Sequence, residues 1–198
     1  QRSGFIYSAE EIEKFRQGAD PNLYPNYNIE DYILQKVAPQ SSHTFSIRGG
    51  NNIVKYYISS RYLYQDSYFK EGIDDYNSYN VRSNLDAVIT ENLKLSVNLS
   101  ARRDDVTRAI GSNSVYNVNV GYTNIGFFEW MLGNRPTEPI FYANGLPAPI
   151  YNVNLVEMIR GKAGQKDDRT GTVNSQATAR WDMPFITQGL FLEGTAAY

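Results

Sequence analysis

Apolar and polar residues alternate with a period of two over most of the chain, the signature of strands that turn successive side chains to opposite faces. From Asn77 to Thr90 one parity carries Tyr79, Val81, Ser83, Leu85, Ala87 and Ile89, and the other Ser78, Asn80, Arg82, Asn84 and Asp86. The pattern resumes as Leu93, Leu95, Val97, Leu99 and Ala101 against Lys94, Ser96, Asn98, Ser100 and Arg102. Thr90–Asn92 joins matching apolar positions and suits a tight hairpin. Four further strands follow the same rule. Ser42–Gly49 sets Phe45 and Ile47 against Thr44, Ser46 and Arg48, and Val54–Asp66 sets Val54, Tyr56, Ile58, Tyr62 and Tyr64 against Lys55, Tyr57, Ser59, Arg61 and Gln65. Thr172–Asp182 sets Val173, Ala177, Ala179 and Trp181 against Asn174, Gln176 and Arg180. Leu190–Tyr198 carries Leu190, Leu192, Gly194 and Ala196 on one parity, with Glu193 and Thr195 on the other.

The connections alternate strictly in length. Short links fall at about 50–53, 90–92 and 183–189, and long ones at about 67–76 and 104–171, with the segment before Ser42 as a third. Glycines and asparagines at Gly49–Asn52 supply the positive φ values a turn uses. In an up-and-down sheet this alternation gathers the short turns at one end and the long loops at the other, as in outer-membrane barrels. The long segments contain helical patterns. Ser8 with Glu11 forms a capping box ended by Gly18. Asn28–Val37 spaces Ile29, Tyr32, Ile33 and Val37 along one side, and Asn124–Leu132 and Asn154–Arg160 are weaker candidates. The expected layout is therefore a helical extracellular segment (1–41), four strands (42–105), a long extracellular loop (106–171) and two strands (172–198) of one barrel domain.

Composition sharpens this picture. Lys+Arg (19) nearly balances Asp+Glu (21), which gives no electrostatic case for nucleic acid. The chain has no cysteine, hence no thiolate chemistry, and a single histidine, His43, hence no Ser–His–Asp triad or His-based metal cluster of its own. No run of about 18 apolar residues could form a transmembrane helix, but barrel strands need none. The N-terminus lacks a signal-peptide layout and LFLEGTAAY stops within an alternating run, so a piece of a longer protein is expected. A soluble β-sandwich would also alternate. However, the runs here reach about 12 residues, where soluble strands average about 5–6 and tilted membrane strands need about 9–11. Tyr56, Tyr64, Tyr79, Trp181 and Tyr198 near the ends of apolar faces suit an interfacial aromatic girdle. Six strands leave two edges that lipid cannot tolerate, so the wall needs more strands than these.

Several stretches resemble the SusC/RagA family of TonB-dependent outer-membrane transporters. They are YSAEEIEKFRQGADPNLYPN, HTFSIRGG, RSNLDAVITENLKLSVNLS and RPTEPIFYANGLPAP, and the resemblance runs from Tyr7 to Tyr198. It implies a TonB-dependent importer with a plug inside a barrel of about 22 strands in the outer membrane of a Gram-negative bacterium. It further implies a SusD-like surface lipoprotein as lid, an oligosaccharide or oligopeptide as substrate, and no cofactor. The plug and the TonB-contacting segment of that family have no counterpart in these residues, so energy coupling falls on none of them.

No residue carries a catalytic pattern, and an enzyme is not expected. Arg61, Arg82, Asn84, Asp86, Asn98, Arg102 and Arg180, on the polar parity, are expected to face the lumen, because Arg or Lys facing lipid costs about 2–4 kcal/mol at midplane. Tyr68, Phe69, Phe127, Trp130, Phe141, Tyr142 and Tyr151 in the long loops, with Phe128 among them, could stack on substrate, meet a lid, or pack the loops' own core. The acidic group Asp66, Glu71, Asp74 and Asp75 lacks EF-hand spacing and reads as a solvated loop. A non-transport outer-membrane barrel or adhesin, and a soluble carbohydrate-binding β-domain, remain the alternative readings.

Overall fold

The computed structural model describes residues 7–110, 128, 131–149 and 154–198. The element order is α1 (Ala9–Gln17), α2 (Ile29–Ile33), β1 (Gln40–Gly50), β2 (Val54–Gln65), β3 (Asp75–Thr90), β4 (Leu93–Ala109), α3 (Leu155–Ile159), β5 (Gln165–Asp182) and β6 (Phe191–Ala197). The six strands form one antiparallel up-and-down sheet in sequence order, with its two ends unjoined. The chain divides into two compact units. One holds the strands, as residues 39–66, 75–106 and 167–198. The other combines the N-terminal segment with both long connections, as residues 1–38, 67–74 and 107–166.

Register in the sheet unit obeys the parity of the sequence. His43, Phe45 and Ile47 pair with Tyr62, Ser60 and Ile58, and those three with Tyr79, Val81 and Ser83, so the apolar parity shares one face. Ala177, Ala179 and Trp181 likewise pair with Ala196, Gly194 and Leu192. On the other face the Ser96 hydroxyl donates to Asp86 at 2.6 Å, which requires like parity on β3 and β4. The short links differ from one another. Asn51 Oδ1 accepts from the N–H groups of Ile53 and Val54, both at 2.8 Å, and Thr90 Oγ1 accepts from Leu93 N–H at 3.0 Å. Gly49 belongs to β1 rather than to the turn: a Cβ there would lie 2.7 Å from the hydroxyl of its pair partner Tyr56, whose ring covers it.

Strand ends depart from the expected bounds. β4 runs to Ala109 and β5 begins at Gln165, not near Thr172, so the long connection contracts from 106–171 to residues 110–164. The added stretch, QKDDRTG, has no apolar parity to betray it and is extended because the ladder with β4 continues.

The loop unit has a core of its own. Every buried hydrophobic side chain among the described residues belongs to it: Ile29, Ile33, Phe69, Ala109, Met131, Ile140, Ala148, Leu155, Val156, Met158 and Ile159. Backbone bonds lace its segments together, from Lys70 N to Ile33 O (2.6 Å), Ile73 N to Ile159 O (3.2 Å) and Tyr27 N to Pro136 O (3.1 Å). The α1 capping box forms as expected, with Ser8 N–H donating to Glu11 Oε2 at 2.7 Å and Glu11 N–H to Ser8 Oγ at 3.2 Å. The bond from the Ser8 backbone N–H, and after it one from the Ser8 hydroxyl to the carboxyl, hold the Glu11 carboxyl below its ordinary range. The expected 28–37 helix is shorter than its periodicity, ending at Ile33. Leu34 turns extended to bridge Phe69, and Gln35 N–H donates to Tyr68 O at 3.0 Å, so pairing with a distant segment replaces the next helical turn. Asn154 caps α3 by accepting from Glu157 N–H at 3.1 Å, while its amide donates to the carbonyls of Ile140 (2.6 Å) and Ala148 (3.0 Å). Residues 128 and 131–133 are helical, and the rest of the expected 124–132 helix lies outside the described residues.

Candidate functional site

The polar face of the sheet collects the charged residues expected there. Arg82, Asn84 and Asp86 stand opposite Ser59, Tyr57 and Lys55 in the β2–β3 ladder. Arg82 and Asn84 line a shallow concavity with Asn98, Ser100, Asn174 and Gln176, a surface of hydrogen-bonding groups. Arg61 Nε donates to Ser42 Oγ at 3.1 Å. Arg102 reaches Asp104 (2.8 Å) and the Tyr76 hydroxyl (3.0 Å). Arg180 reaches Asp182 (3.0 Å), and its guanidinium lies 3.7 Å from the centre of the Phe191 ring. Asp182 also meets Lys94 at 3.5 Å. These exposed pairs hold the cations in place more than they stabilise the sheet.

The opposite face is apolar and uncovered. Phe45 is 69% exposed, Val81 49%, Leu99 47% and Leu192 60%. A row of rings crosses it near one end. His43 stacks on Tyr62 with centroids 6.5 Å apart, and Tyr62 lies 5.1 Å from Tyr79. The lone histidine is thus part of an aromatic row, which its position beside polar Thr44 concealed. Along β4 this parity reads Leu93, Leu95, Val97, Leu99 and Ala101 before it turns charged at Arg103, which pairs with Asp105 through two bonds of 2.8 Å. Ten residues at a rise of about 3.3 Å and a tilt of about 40° span roughly 25 Å, the height of the apolar band on a membrane barrel.

In the loop unit the expected contact residues separate. Tyr68 (50% exposed) and Tyr142 (41%) present their rings to solvent. Phe69 does not: it is 1% exposed, packs 5.4 Å from Phe128, and fills the unit's core, which corrects its assignment as a substrate or lid contact. Phe141 is half-buried between Tyr32 (6.4 Å) and the Arg160 guanidinium (6.0 Å). Phe127, Trp130 and Tyr151 lie outside the described residues. Of the acidic group, Glu71 meets Arg160 at 2.8 Å and Asp74 accepts the Ala109 N–H at 2.9 Å, both holding the loop unit together.

Among solved structures, the chain is similar to the RagAB peptide transporter, with a TM-score of 0.59 and 19% identity over 98% of its own length. The chain has the fold of a stretch of β-barrel wall. It spans about a quarter (23%) of that transporter chain. No protein-family model matches the sequence, and no curated protein matches it.

Proposed function

We propose that this chain forms wall and outer-loop structure of an outer-membrane importer of the SusC type, driven through TonB and lidded by a SusD-like surface lipoprotein. The observation that carries this reading is the sheet's uncovered apolar face. All the buried hydrophobic side chains described lie in the loop unit, so the sheet unit owns no core. In water a face carrying Phe45, Val81, Leu99 and Leu192 would forfeit about 1.5–3 kcal/mol for each large side chain left unburied. In lipid it needs no cover, provided further strands close the two edges. The polar face then lines the lumen, with Arg82, Asn84 and Asn98 offering donors and acceptors to a passing polar solute.

With lipid against the apolar face, the long connections leave the sheet at the extracellular end and the short turns at the periplasmic end. An oligopeptide is the favoured substrate and an oligosaccharide the second. The favoured reading takes its support from the likeness to a peptide transporter, and the second from exposed Tyr68 and Tyr142, which suit sugar stacking. No bond-making chemistry is proposed for any residue, and TonB coupling is assigned to none of this chain.

The test is uptake by the whole barrel protein. A Tyr68→Ala/Tyr142→Ala variant keeps the loop core, unlike a deletion through buried Met131 and Ile140. With surface expression unchanged, it is expected to weaken either lid association or energy-dependent uptake of labelled peptide. Normal association and uptake would remove these rings from transport. An Asn144→Cys label reached only from the periplasmic side would overturn the topology.

A further inference from the structure

The β5–β6 turn is the longest of the three short turns. Its sequence, Met183–Leu190, holds no charged residue, as Asn51–Ile53 holds none, and it alone of the three exposes an aromatic ring, with Phe185 67% and Ile186 63% exposed. The turn is nonetheless ordered. Met183 N–H donates to Leu190 O (2.8 Å), Ile186 N–H to Met183 O (3.1 Å) and Leu190 N–H to Thr187 O (3.3 Å), while Gly189 takes a φ of +85°. Two large apolar side chains are therefore held out by a built loop, at the cost of exposed hydrocarbon in water.

Two observations say what covers them. Phe185 lies 5.9 Å from Trp181, ring centre to ring centre, and Trp181 pairs with Leu192 on the apolar face, so the turn leans toward that side of the wall. Asp182, the last residue of β5, donates its N–H to Asn92 O at 2.8 Å, so the turn starts level with the Leu93 end of β4. The apolar band of β4 begins at Leu93 and turns charged at Arg103. The turn thus lies at the Leu93 limit of the band, where aromatic and aliphatic side chains meet headgroups.

We propose that Met183–Leu190 is an interfacial anchor. Phe185 and Ile186 insert into the headgroup–acyl boundary of the phospholipid leaflet at the short-turn end, with Trp181 as the fixed wall behind them. The inference rests on the barrel reading above. The turn carries no charge, so its partner is the apolar boundary of the leaflet rather than an anionic headgroup. In this role it fixes the depth of the β5–β6 hairpin in the membrane.

The chain has no cysteine, so introduced ones are unique within it. Phe185→Cys, Ile186→Cys, Gln188→Cys and Val97→Cys are made singly in the whole barrel protein, spin-labelled, and reconstituted in phosphatidylethanolamine–phosphatidylcholine vesicles. Accessibility to oxygen is compared with accessibility to a water-soluble nickel chelate. The labels at 185 and 186 are expected to favour oxygen, at a depth shallower than 97, with 188 favouring nickel. If 97 favours oxygen while 185 and 186 favour nickel as 188 does, the anchor is overturned and the barrel stands. Labels at 185 and 186 reached by neither reagent would mean packing against protein, and would overturn it equally. A water-exposed label at 97 would sink the barrel reading and the anchor with it.

Discussion

Replacing Val97 by Arg tests the face assignment at its most sensitive point. Val97 is the middle of five apolar positions on β4, Leu93 to Ala101, and so lies near the middle of a band of roughly 25 Å. An Arg there faces lipid at a cost of about 2–4 kcal/mol. Asn98, one residue on, belongs to the opposite face and shares its concavity with Arg82 and Asn84, so Asn98→Arg should change stability by no more than about 0.5 kcal/mol. The two variants add the same side chain one position apart, and differ only in the face that receives it. In urea titrations of the whole barrel in lipid vesicles, Val97→Arg should lower the folding constant roughly 30- to 700-fold. Its denaturant midpoint should fall, and Asn98→Arg should leave it nearly unmoved. Equal loss in the two variants, or greater loss at Asn98, would refute the assignment of lipid and lumen.

Other expectations follow from local geometry. Phe69→Ala should cost about 3–5 kcal/mol and loosen the loop unit alone; hydrogen exchange should speed in residues 67–74 and 155–159 while the strands stay protected. Gly50→Ala should weaken the first hairpin by about 1–3 kcal/mol, since Gly50 has a φ of +145° and a Cβ would lie 2.6 Å from Lys55 Cα. Refolding yield of the barrel reports it, and a wild-type yield would contradict the strain. Ser8→Ala should cost about 0.5–2 kcal/mol of α1 stability. Because the folded Glu11 carboxyl titrates below its unfolded value of about 4.3, its contribution is present above that pH and is lost as pH falls through the folded value. Protection factors of the amides in residues 9–12, taken against intrinsic exchange at each pH, should therefore fall on acidification in the wild type and stay nearly flat in Glu11→Gln, which has no carboxyl to titrate.

Local residue pattern set which side chains share a face and where the short turns fall. A strand's side-chain period is two whatever its neighbours, so Leu95 and Val97 had to part from Asn98. The Ser8–Glu11 cap was likewise legible, because capping is local chemistry. Tertiary structure decided what depends on partners distant in the chain. Gln165–Gly171 is strand because β4 offers it a ladder, although neither of its faces is apolar. Leu34 leaves the helix its periodicity favours because Phe69 offers a bridge. Phe69 and Tyr68 are adjacent aromatics in one loop, and no periodicity separates them. Packing against Ile33, Phe128 and Ile159 buries the first, and leaves Tyr68 half exposed.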